Sequence, residues 1–72
     1  MKYVLTLRIL CDGDTVDDAL GDARYTLKLV DAALPTGALL TPVAQEWGLW
    51  AGEMRDDNMQ QAAIITLQQK KG

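Results

Sequence analysis

Residues 12–34, DGDTVDDALGDARYTLKLVDAAL, read as one amphipathic helix, because the start, the periodicity and the end of this stretch each have a physical cause. Thr15 followed three residues later by Asp18 has the form of a capping box. Asp12, Asp14, Asp17, Asp18 and Asp22 place negative charge where a helix N-terminus is partially positive. Val16, Leu20, Ala23, Leu27, Val30 and Leu34 recur at alternating steps of four and three, so the spacing predicts one apolar stripe turned onto a sheet. Pro35 and Gly37 then stop the helix.

At about 100° per residue, the opposite side of this helix carries Tyr25, Leu29 and Ala32 near Gly21, with Asp18 and Asp22 beside them. Tyr25 and Leu29 are explained by an ordinary exposed pair four residues apart. The sharper reading is a docking patch, in which Gly21, costing about 1 kcal/mol against alanine in a helix interior, lets a partner approach. On the second reading Asp17, Asp18, Asp22, Tyr25 and Leu29 are the candidate partner-binding residues.

Before the helix, KYVLTLRIL at 2–10 alternates as a strand does, with Tyr3, Leu5, Leu7 and Ile9 turned to the helix and Val4, Thr6, Arg8 and Leu10 away from it. Cys11 to Asp14 turn the chain, and Gly13 suits an unusual backbone angle there. After the helix, Ala38 to Thr41 lead to Pro42, which suits a loop or an edge strand. A second strand is expected over 43–51, with Trp47 and Trp50 on opposite faces and Gly48 marking a bulge or a close backbone approach. Residues 52–59, GEMRDDNM, read as a hairpin connection, and 60–68 as a third strand followed by a loose tail.

The fold class is therefore α+β, in the order β-α-β-β. The expected sheet is three-stranded and antiparallel, order 1-3-2, with the helix packed on one face and the proline-flanked strand on an edge. Val4, Leu10, Trp50 and Ile64 fall by alternation on the other face. Val4, Trp50 and Ile64 are accordingly candidates for self-association or a second contact, a homodimer being one arrangement that covers them.

Seventy-two residues, 1–72, make a single domain. A chain of this size buries only about 60% of the surface exposed by its unfolded form. The lone Cys11 offers no disulfide framework and fits a reducing cytoplasm. Ten acidic against seven basic residues give a net charge of −3, which disfavours direct nucleic-acid binding and favours a basic, or nucleic-acid-binding, protein partner. The apolar run at the N-terminus is short and broken by Arg8, unlike a signal sequence, and no stretch reaches the roughly 18 apolar residues of a membrane span.

The sequence holds no histidine, which removes the commonest general base and most transition-metal sites. Cys11 has no evident activator and reads as a small buried residue at a strand end. The DGDTVDD run lacks the glycine and terminal glutamate spacing of a calcium loop, and the glycines lack the spacing and lysine of a phosphate-binding loop. No catalytic residue, cofactor or metal is expected, and the chain reads as a non-enzymatic module. Glu53, Asp56 and Asp57 add a second acidic patch to that of the helix.

GDTVDDALGDARYTL at 13–27, with the opening MKY, resembles the strand-to-helix segment of HicB-family antitoxins, from which it departs in having a single strand before the helix. That resemblance implies a regulatory protein that neutralises a small toxin and dimerises. The small size, the acidity, the β-α-β-β order and GLWAGE at 48–53 are similar to small phage or mobile-element inhibitors of the anti-CRISPR type. This similarity implies stoichiometric, steric blockade of a host nucleic-acid-binding complex in the cytoplasm.

Overall fold

Alternation in KYVLTLRI produces β1 (Lys2–Ile9), and the chain then rises through residues 10–15 into α1 (Val16–Ala33). A computed structural model describes residues 1–34 and 39–70. The expected helix stop at Pro35 and Gly37 lies outside the described residues. Beyond it come β2 (Thr41–Ala44), a single 3-10 turn (Gln45–Trp47), β3 (Leu49–Arg55) and β4 (Gln61–Lys70). The strands form one antiparallel sheet in the order β1-β4-β3-β2, with the last strand in the centre and the Pro42-bearing strand on an edge. The α+β class and the placement of the C-terminal strand agree with the sequence; the sheet has four strands where the alternation predicts three.

The extra strand arises at Gly48. Its φ of +63° and ψ of 42° lie in the left-handed region, where a side chain is disfavoured, and a Cβ there would stand 2.7 Å from the Gln69 Cβ. The Gln45–Trp47 turn therefore splits the expected strand, and β2 folds back on β3 with Thr41 opposite Ala51. Trp47 leaves the sheet altogether and is exposed. At the C-terminus, Gln69 and Lys70 are not a tail but pair with Tyr3 and Lys2 in the ladder.

Registry fixes the two faces of the sheet. Leu7, Ile65 and Gly52 form one cross-strand row, and Ile9, Ala63 and Met54 the next, on the side that meets the helix. Ile65, Ala63 and Val30 are fully buried, with Leu7, Ile9, Leu34, Leu39, Leu40 and Met54 packed around them. Gly52 is glycine because the backbone of Leu39 crosses over it; a Cβ there would collide with the Leu39 carbonyl oxygen. That crossing brings the two leucines beside the core.

The helix meets this face through an unexpected side. Thr26 and Val30 are its buried residues, flanked by partly buried Ala19, Ala23, Ala33 and Leu34. Of the expected stripe, Val16, Leu20 and Leu27 are 76%, 55% and 48% exposed. At about 100° per residue, the seated side is turned by roughly 50° from the stripe. The cause is the incoming loop: the Asp12 N–H donates to Asp22 Oδ2 at 2.9 Å, and Gly13 lies against Asp18 and Ala19, so the loop ties down one flank of the helix. Gly13 is required there for space and not for an unusual backbone angle, since among the described glycines only Gly48 has a positive φ.

Candidate functional site

Thr15 caps the helix as its sequence predicts, accepting a hydrogen bond from the Asp18 N–H at 3.1 Å, with Asp17 and Asp18 in the first turn. These two acids thus have a local structural role. Further along, the exposed side of the helix faces the β3–β4 hairpin across a cleft of about 430 Å³. Asp22, Tyr25 and Leu29 line one wall; Met54, Arg55, Asp56, Asp57 and Gln60 line the other, with Leu10, Cys11 and Asp12 at the end.

Three of the five candidate partner-binding residues, Asp22, Tyr25 and Leu29, are therefore gathered in one depression, and Asp17 and Asp18 lie outside it. Tyr25 is 64% exposed and Leu29 42%, so a partner reaches both without rearrangement. Four aspartates and one arginine on the lining give the cleft a formal charge of −3. Alternation alone hid the opposing wall, because only the β3–β4 register brings Asp56 and Asp57 opposite the helix. The other side of Tyr25 borders a shallow hollow with Gly21, Arg24 and Lys28, which is basic where the cleft is acidic.

The hairpin wall is hydrogen-bonded within itself. Asp56 Oδ1 accepts from the Asn58 and Gln60 N–H groups, each at 2.9 Å, and the Arg55 guanidinium donates to the Met59 carbonyl at 2.7 Å. Glu53, on the opposite sheet face, accepts from the Gln61 side-chain amide at 2.7 Å and pairs with Arg55 at 3.0 Å. Those two contacts, the Gln61 hydrogen bond first, hold its carboxyl below the usual carboxylate range. Cys11 is exposed at the cleft end and not buried, because β1 stops at Ile9 before the chain leaves the sheet.

The second candidate set divides. Trp50 pairs with Leu67, which pairs with Leu5, so it lies on the helix side of the sheet, with the Tyr3 ring 6.3 Å away at 55°. Val4, opposite Gln68, and Ile64, between Arg8 and Glu53, are on the other side. A single contact through Val4, Trp50 and Ile64 is thereby corrected: strand parity separates faces within one strand, and only the register assigns them across strands. Leu10 lies beyond the ladder and lines the cleft.

No three His, Cys, Asp or Glu side chains among the described residues converge as a metal-holding group, and no described helix is long and apolar enough to cross a membrane. Comparison with protein-family models, with curated proteins and with solved structures returns no match for this chain.

Proposed function

We propose that the chain is a non-enzymatic protein-binding module whose cleft takes a basic segment of its partner. The observation that carries this reading is the open Tyr25–Leu29 pair walled by Asp12, Asp22, Asp56 and Asp57. An aromatic side chain supplies contact area at low entropic cost, and acids around it steer a cationic partner and reject an anionic one. In biological terms the reading is a small acidic inhibitor of the anti-CRISPR kind, from a phage or mobile element. It blocks a host nucleic-acid-binding complex by occupying the groove where phosphates would bind.

The alternative, a HicB-like regulator that neutralises a small toxin, rests on the resemblance of residues 13–27, which form the Thr15-capped start and first turns of the helix. Affinity capture from the native host, followed by mass spectrometry, separates the two through the identity of the bound protein. With that protein in hand, Tyr25→Ala and the charge reversal Asp57→Lys should each weaken binding at least about tenfold while the circular dichroism spectrum is unchanged. Undiminished binding by both variants would overturn the cleft reading.

A further inference from the structure

We propose that the free edge of β1 pairs with β1 of a second copy of this chain, antiparallel about a twofold axis, to form an eight-stranded sheet. The two edges of the sheet are unlike. β2 is four residues long, contains Pro42 and has a register shift beside it, all of which blunt an edge. β1 offers eight residues without proline or bulge. The Leu10 N–H donates to Ala62 O, so by alternation the even-numbered residues of β1 bond to β4. Tyr3, Leu5, Leu7 and Ile9 turn their N–H and C=O groups outward.

Charge selects the register. Centring the pair on Leu5 sets Lys2 opposite Arg8 twice, whereas centring it on Thr6 sets Lys2 opposite Leu10 and Arg8 opposite Val4. With Thr6 on the axis, Tyr3 faces Ile9 of the second copy and Leu5 faces its Leu7. The helix covers Leu7 and Ile9 of its own chain and leaves Tyr3 and Leu5 half-exposed. The twofold places each helix beside the other chain's uncovered pair.

The helix flank away from the hairpin is apolar. One flank, Asp22, Tyr25 and Leu29, faces the β3–β4 hairpin; Leu20 and Leu27, on the opposite flank by helical spacing, are 55% and 48% exposed. Surface area agrees with a missing partner: a compact monomer of 7.9 kDa exposes about 4,400 Å², and this chain exposes 5682 Å². The excess, about 1,300 Å², exceeds the roughly 800 Å² that each partner of a standard interface buries. This pairing leaves the cleft open and does not depend on the function proposed for it.

Sedimentation equilibrium of the full chain at high micromolar concentration should give twice the chain mass of 7.9 kDa. Leu5→Pro removes an outward N–H without touching the β4 ladder, and Leu20→Glu with Leu27→Glu charges the helix flank; each should halve the mass with the circular dichroism spectrum retained. Thr6→Cys in a Cys11→Ser background should cross-link to a dimer under mild oxidation, because facing residues at a non-hydrogen-bonded site lie about 4.5 Å apart. Thr41→Cys, on the blunted edge, should not. A monomeric wild-type chain, a dimer that survives both the Leu5→Pro and the charged-flank variants, or Thr6→Cys cross-linking no faster than Thr41→Cys would overturn the proposal.

Discussion

Asp22 Oδ2 accepts a hydrogen bond from the Asp12 N–H at 2.9 Å, joining the middle of the helix to the loop that leads into it. This contact holds the helix in the rotation that buries Thr26 and Val30. Asp22→Ala is expected to lower stability by about 1 kcal/mol in urea unfolding. It should also speed hydrogen exchange at the Asp12 amide, while the Thr15 cap keeps the Asp18 amide protected. Unchanged exchange at Asp12 would show that the loop is held by other contacts.

Two glycines should respond in opposite directions to alanine. At Gly52 the added methyl meets the Leu39 carbonyl oxygen, and displacing that backbone is expected to cost about 1–3 kcal/mol. At Gly21 nothing lies within 4 Å, so Gly21→Ala should stabilise by up to about 1 kcal/mol through helix propensity. Chemical denaturation of both variants checks the pair. If Gly21→Ala also weakens binding of the captured partner, the bare position belongs to the docking surface.

Met59 is the one described non-glycine residue with a positive φ, +63°, and its side chain is exposed. Met59→Gly should therefore raise stability, by roughly 1 kcal/mol, through release of a left-handed conformation that costs about 1–2 kcal/mol for an ordinary residue. A lower midpoint in urea for this variant would contradict the assignment of strain.

Glu53 supplies the acid-side dependence. Its carboxyl is held below its ordinary range by the Gln61 amide and then by Arg55, so the charged form is favoured in the folded state. A depressed folded pKa contributes stability that is present above the unfolded value and lost as pH falls through the folded one. Unfolding midpoints measured from pH 6 downward, with roughly half-unit steps, should decline less steeply for Glu53→Gln than for the wild type. Parallel declines would remove Glu53 from the account.

Local chemistry was legible where one residue type has one cause. The Thr15 cap, the alternation of β1, the Pro42 edge and the central place of the last strand all follow from short-range rules. What stayed hidden was long-range. Alternation runs unbroken through Val43, Gln45, Trp47 and Leu49, so Gly48 was legible as a bulge or close approach but not as the turn that splits the strand. Helix rotation depends on the Asp12–Asp22 contact, which joins residues ten apart, and it moves Val16, Leu20 and Leu27 out of the core. The face taken by Trp50 is likewise set by its pairing with Leu67. Asp22, Tyr25 and Leu29 could be chosen from the helix alone, whereas their hairpin wall could not.

Pro42 has a further consequence when the sheet grows from its other side. A proline offers no N–H, and the shifted register between Pro42 and Ala44 leaves the β2 margin without an even row of donors and acceptors. Once two β1 margins have joined, both outer rims of the enlarged sheet are β2. Growth then ends at a closed pair, and the same strand that limits the monomer's hydrogen bonding guards the protein against fibre formation.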